Sequence, residues 1–382
     1  MTITKKAQSF IAALLCAGLM AGCADKNTDS SDGSSGSDST DNSVSESVPE
    51  NAPTTAGSDS GTEQAAPTSD ADIAESGEVP PTLAPESVRV MALSGPTAMG
   101  LTKLMDKTET EDLLYDFTIA AAVDEISPMI IQGNTDICCV PANLGAVLCS
   151  KTEGGVMVLA VNTLGVLYLC ENGDTVAEIS DLRGKTIYSA GKGATPEYAL
   201  NYILSENGID PENDVNIEWK SEHAECVAAL SADEDGVAML PQPFVTVAQT
   251  QNENINVVID LNEEWDKLGN GSALITGAVI ARTEFVEEYP EVVNHFLTEY
   301  KASVDYVNNN VAEAAQLVEK YGIIKAAVAE KAIPKCNIVC ITGEEMKEKL
   351  SGYYDVLFEQ KPESVGGAVP ADSFYYAYEF PG

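Results

Sequence analysis

Four short stretches carry residue types that bind a small molecule without reacting with it: Ser94-Gly95-Pro96-Thr97, Pro141-Ala142-Asn143, Gly191-Lys192-Gly193-Ala194-Thr195-Pro196, and Pro241-Gln242-Pro243 with Phe244 behind it. Hydroxyls, amides and unpaired backbone N–H groups offer hydrogen bonds, and proline suits a first helical turn because its missing N–H costs nothing there. Tyr168, Tyr198 and Phe244 are candidates for apolar or stacking walls. Taken singly, each stretch reads as an ordinary turn and helix start. Four of them divided between two sets of strands point to one shared cleft. The same inventory is poor in reactive groups. Histidine occurs only as His223 and His295, with no Ser-His-Asp set, and His223-x-x-Cys226 supplies two metal ligands at best. The glycine loop lacks the Gly-Lys-Ser/Thr ending of a nucleotide loop. Arginine occurs only as Arg89, Arg183 and Arg282, too few for a phosphate clamp. The expectation is a binding protein with no catalytic residue, cofactor or metal. Its ligand is a small organic molecule, neutral or with one anionic group.

These stretches need a frame, and the pattern supplies an α/β one: two Rossmann-like lobes of mixed, mainly parallel sheets. Strands are predicted at Val88–Leu93, Leu114–Ala121, Asp136–Val140, Val156–Val161, Leu167–Glu171, Thr186–Ser189, Val215–Trp219, Val237–Leu240 and Ala273–Arg282. Helices fall between them, and the chain is mostly helical from Glu284 onward. What repeats is the junction, not the sequence: a strand hands over to a helix through small polar or proline residues. In an open α/β sheet, ligands sit at the carboxyl ends of such strands. Lobe 1 is expected over 87–182 plus 273–382 and lobe 2 over 183–272. The crossovers are expected near Glu178–Lys185 and Leu268–Ala273. Gly269-Asn270-Gly271 in the second would tolerate hinge motion.

The N-terminal "MTITKKAQSFIAALLCAGLMAGC" has lysines, an apolar run too short to span a bilayer, and then small residues before Cys23. It reads as a signal peptide over 1–22. Met20-Ala21-Gly22-Cys23 resembles a bacterial lipobox, which would lipidate Cys23 and anchor the protein outside the cytoplasm. Residues 23–86 are rich in Ser, Asp and Gly with almost no large apolar side chain, so a disordered, extended acidic tether is expected. The formal charge of −39 argues against nucleic acid or anionic lipid as a partner. The remaining cysteines, Cys138, Cys139, Cys149, Cys170, Cys226, Cys336 and Cys340, are odd in number and irregularly spaced, unlike a disulfide framework.

Taken together, "LSGPTAMGLTKLMD", "DICCVPANLGAVL", "LGVLYLCENG", "DLRGKTIYSAGKGATPEYALNYIL", "VAMLPQPFVTVA" and "TGAVIARTEFVEEYPEVVNHFLTEYKASVDYVNNN" resemble the periplasmic-type solute-binding proteins of ABC importers. The group includes nitrate-, taurine-, alkanesulfonate- and thiamine-pyrimidine-precursor-binding proteins. The resemblance implies a type II periplasmic-binding-protein-like fold that closes on its ligand as a monomer and delivers it to a membrane permease with a cytoplasmic ATPase. Relatives often carry Glu between the prolines where this chain has Gln242, which weakens the transfer of a cation-binding carboxylate. The alternatives are a ligand-sensing surface lipoprotein without transport and, last, an enzyme on the same scaffold.

If Met20–Cys23 is a lipobox, Cys23→Ser releases the protein into the medium or leaves an unprocessed precursor. Fractionation with a lipid label checks this, and unchanged membrane retention without label on the wild type refutes it.

Overall fold

The computed structural model describes residues 85–111 and 113–380. The signal peptide, lipobox and tether expected from the sequence lie outside them. The first sheet holds β1 (Val88–Leu93), β2 (Tyr115–Ala120), β3 (Ile137–Pro141) and β4 (Val156–Leu164). The second holds β5 (Leu167–Glu171), β6 (Thr186–Ala190), β7 (Asn216–Lys220), β8 (Val237–Pro241) and β9 (Asn256–Asp260). The chain then returns to the first with β10 (Ile275–Arg282) and β11 (Ile338–Ile341). The six-stranded order is β11-β4-β10-β3-β1-β2, and the five-stranded order is β7-β6-β8-β5-β9.

Both sheets follow one plan. Three parallel strands lie side by side, β2-β1-β3 in one and β7-β6-β8 in the other. An antiparallel strand then completes each row: β10 against β3, and β5 against β8. The lobes even run in step at an offset of one hundred residues. β3 and β8 end at Pro141 and Pro241, and the helices Val123–Ile131 and His223–Ala232 start at matching positions. β3 and β8 share one burial pattern, four buried residues and a half-buried proline, as expected of central strands covered on both faces.

The first passage between sheets differs from the expectation. It falls at Gly165-Val166, between β4 and β5, and not at Glu178–Lys185. β5 therefore sits in the five-stranded sheet, although the sequence reading assigned it to lobe 1. The cause is that β4 and β5 are two nearly continuous apolar runs that read as neighbours in one sheet, while only two residues separate a strand of each. Asn337 holds the passage: its side chain donates to the Gly165 carbonyl and its own carbonyl accepts from Leu164 N–H at 3.1 Å. The chain returns between Leu268 and Leu274, where Gly269 and Gly271 take the left-handed backbone (φ 63° and 77°) that glycine reaches at least cost. Asn270 ties this return down, donating to the Tyr202 hydroxyl and accepting from Ser272 N–H, each at 2.9 Å. β9, β11 and the helices Leu261–Lys267 and Ala326–Ala332 went unrecognised in the sequence. Each is short, and β11 joins its sheet through an irregular register.

At the end of the first sheet away from the strand C-termini, Asp136 is 3 % exposed. It accepts from Arg89 Nη2 (2.6 Å), Arg89 Nε (2.9 Å) and Arg282 Nη2 (3.0 Å). Burial opposes its charge, but the arginines and the Arg89 backbone N–H outweigh it and hold its pKa below the ordinary value. A carboxylate with a depressed folded pKa stabilises the fold above its unfolded pKa of about 3.9 and loses that contribution as pH falls through the folded one. Asp136→Asn should therefore lower Tm at pH 7 and flatten the acid limb of the stability curve below about pH 4. Thermal melts from pH 2 to 7 check this, and parallel acid limbs in both proteins would refute it.

Candidate functional site

All four stretches singled out in the sequence stand at the carboxyl ends of the central parallel strands. Ser94–Thr97 follows β1 and Pro141–Asn143 follows β3, and these strands are neighbours. Gly191–Pro196 follows β6 and Pro241–Phe244 follows β8, again neighbours. None of the helices that begin here, at Pro96, Ala142, Thr195 and Phe244, has a side chain capping its first turn. First-turn N–H groups without side-chain caps are suited to an acceptor brought by a ligand.

The residues differ in how far they remain available. Ser94 donates its backbone N–H to the Ala120 carbonyl (2.8 Å) and is half-buried. Gly95 takes φ 124°, a conformation that favours glycine, and a Cβ there would meet open space, so backbone angle and not crowding selects it. Pro96 opens the helix Pro96–Met99. Thr97 is 6 % exposed, and its hydroxyl donates to the Leu93 carbonyl at 2.8 Å. Its own carbonyl accepts from the buried Asn162 amide at 3.2 Å. A Cβ on Gly277 would collide with Asn162 and the Thr97 methyl, so that glycine makes room for the pair. The Thr97 hydroxyl thus ties the start of the helix back to the last residue of β1.

Pro141 and Asn143 are half-buried, and Ala142 is fully buried. The Ala142 carbonyl accepts from the Tyr354 hydroxyl at 2.9 Å, and the Asn143 amide donates to the Ser364 carbonyl at 3.4 Å. In the other lobe, Gly193 is exposed, with its N–H on the Glu197 carboxylate, while Ala194 and Pro196 are half-buried. Thr195 is 5 % exposed and shares a 3.0 Å hydrogen bond with the Tyr353 hydroxyl, so this threonine too supports the fold. Tyr198 is buried, and its carbonyl accepts from the Gln360 amide at 3.0 Å. Tyr168 is buried with its hydroxyl donated to the Lys335 carbonyl at 2.9 Å, a tie between β5 and the far lobe. Pro241 and Pro243 flank Gln242, which is 2 % exposed. The Gln242 backbone N–H donates to the Val166 carbonyl (3.0 Å) and its amide oxygen accepts from Thr246 Oγ1 (2.9 Å), while Nε2 has no partner.

The sequence shows a helix near Gly343–Phe358 but not that it joins the two sides. The C-terminal helix Gly343–Gln360 carries adjacent tyrosines: Tyr353 reaches Thr195 in one lobe and Tyr354 reaches Ala142 in the other. Both tyrosines are fully buried. Sequence reasoning also set His223 aside. The structure puts its ring 5.1 Å from Phe244, at the carboxyl end of β7, with Nδ1 buried and unpartnered. Burial lowers its pKa, which favours the neutral ring. Grooves open on both sides of the junction between lobes. One of about 450 Å³ is lined by Thr246, Gln249 and Thr250 across from Glu330, Lys331 and Lys335. The other, of about 310 Å³, is lined by Lys192, Glu197 and Asn201 across from Gln360 and Lys361. Among the described residues there is no cluster of three or more His, Cys, Asp or Glu able to hold a metal, and no helix long and apolar enough to cross a membrane.

Residues 128–314 match the family described as NMT1/THI5 like. An ABC transporter structure from Parabacteroides distasonis aligns with a TM-score of 0.65 at 21% identity, covering 77% of this chain and 100% of that one. The periplasmic aliphatic sulphonate binding protein SsuA of Escherichia coli aligns at 0.63 and 14% identity, covering 78% and 95%. A Candida albicans protein described as having the generic periplasmic binding protein fold aligns at 0.50 and 13%, covering 78% and 98%. No curated protein matches the sequence.

The Thr195–Tyr353 bond predicts a measurable coupling. Thr195→Val and Tyr353→Phe should each lower Tm by a few degrees, and their double-mutant cycle should return about 1 kcal/mol. Strict additivity would show that the two hydroxyls do not share a bond.

Proposed function

From a chain whose residues 128–314 match the NMT1/THI5-like family model and whose fold is that of the periplasmic binding proteins, we propose that it is the solute-capturing component of an ABC importer. It takes a small organic molecule between its lobes and hands it to a membrane permease with a cytoplasmic ATPase. The observation that carries the reading is the doubled plan of the fold: two sheets present equivalent strand ends, and one helix touches both through Tyr353 and Tyr354. A ligand bonded to loops of both lobes favours the arrangement in which they meet, and this differential affinity drives closure. The binding set proposed is Ser94–Thr97, Pro141–Asn143, Tyr168, Gly193–Pro196 and Pro241–Phe244, now with His223.

The role is binding without catalysis. The chain works as a monomer held at the outer face of the cell membrane by a lipid on Cys23. The acidic stretch that follows lets the body reach its permease. The half-buried amides, uncapped helix starts and aromatic rings suit reversible hydrogen bonding and stacking.

A thermal-shift screen of small organic solutes tests the reading, because a ligand that binds only the folded form raises Tm. A hit should reduce the radius of gyration in X-ray scattering as the lobes close. Trimming the chain to residue 87 should leave its affinity within about twofold. A hit that binds outside the lobe junction, or no change in scattering at saturation, would overturn the capture reading.

A further inference from the structure

We propose that the captured molecule carries no strong anionic group, and that it meets the second lobe through a neutral hydrogen-bond acceptor facing Gln242. This deepens the capture reading above and rests on it. The first observation is where the arginines are. Arg89 stands near the start of β1, and Arg282 ends β10 beside the start of β3, both on Asp136. Arg183 precedes β6 and pairs with Asp214, just ahead of β7. All three guanidinium groups thus lie at the strand ends opposite the ligand loops. A sulfonate or phosphate held in a closed site calls for charge-assisted donors, and the bidentate fork of arginine is the best of them. The four lysines that line the grooves at the junction, Lys192, Lys361, Lys331 and Lys335, are all exposed, and Glu197 and Glu330 share those grooves. Asp260, at the same end of the second sheet, adds a carboxylate that caps a helix. An anion would meet this end without a buried cation.

The second observation comes from the hundred-residue offset between the lobes. Gln242 corresponds to Ala142, and His223 to Val123. Ala142 fills its place with no polar side chain, so the fold itself does not call for an amide there. Yet Gln242 is 2 % exposed with one end of its amide on Thr246 and the other unpartnered, and His223 keeps Nδ1 buried and unpartnered. An unsatisfied buried polar group is costly and calls for an explanation, and at this end of the sheet a bound molecule supplies one. Both belong to uncharged side chains: an amide, and an imidazole kept neutral by burial. A neutral carbonyl or ring nitrogen matches the Gln242 N–H₂. A planar ligand would have the Phe244 ring beside it.

The test uses the full chain with two panels in thermal shift, followed by titration calorimetry. One panel is neutral: carboxamides, lactams and uracil-type heterocycles. The other is anionic: methanesulfonate, ethanesulfonate, sulfate and phosphate. The expected result is a response to the neutral panel alone. Gln242→Met should weaken that binding about tenfold or more while moving the ligand-free Tm little, since it removes the unsatisfied N–H₂ together with the Thr246 bond. A structural role for the amide would instead lower the ligand-free Tm and leave affinity alone, which overturns the proposal. Tight binding of an anion, with lobe closure in scattering, overturns it while leaving the capture reading standing. Silence from both panels counts against both.

Discussion

Each sheet is finished by a strand that the other lobe delivers. β5 enters the second sheet directly from β4, and β10 enters the first only after the whole second lobe has been made. Neither row of three parallel strands is closed on its inner side without that visitor. The visitors are buried along almost their whole length. Neither sheet is therefore complete from one contiguous stretch of chain: without β10 or β5, the inner edge of β3 or β8 would be left with unpaired backbone groups, which is strongly unfavourable away from water. Any motion between the lobes must be a rotation about the two short passages, and both passages are pinned by asparagines, Asn337 on one and Asn270 on the other.

The same topology explains why the four loops proposed to hold the ligand lie where they do. Parallel strands put all their helix starts at one end, so β1, β3, β6 and β8 send four loops towards the junction. The opposite end is left to structural electrostatics, with Asp136 between two arginines. The division leaves the arginines holding the frame, and the strand C-termini to small polar side chains.

Much of this was legible in the sequence, for identifiable reasons. Central strands such as "ICCVP" and "VAMLP" are short apolar runs bounded by proline, and the junction residues announce helix starts. The passage at Gly165-Val166 was not legible, because nothing local marks an apolar run as changing sheets. The role of Thr97 and Thr195 was half legible: their type and place were visible, and the Leu93 partner of Thr97 is local, but the Tyr353 partner of Thr195 is brought in only by a tertiary contact. His223 was passed over because His223-x-x-Cys226 supplies too few ligands for a metal site and nothing else in the sequence gives it a partner. Only the equivalence of the lobes shows that Val123 fills the corresponding place in the other. The bridging tyrosines carry no signal apart from the helix that presents them.

One buried ring gives the molecule a spectroscopic handle. Trp265 is fully buried, 4.7 Å from the Tyr202 ring and 5.9 Å from that of Tyr353, with its indole N–H on Ser272 in the second passage. It thus touches the second lobe, the C-terminal helix and the return of the chain at once. The other tryptophan, Trp219, is half-exposed on an edge strand. Rotation of one lobe against the other changes the polarity and the quenching neighbours around Trp265 while leaving those of Trp219 alone. With the lobes closing as proposed, intrinsic fluorescence of the unmodified chain would report its opening angle.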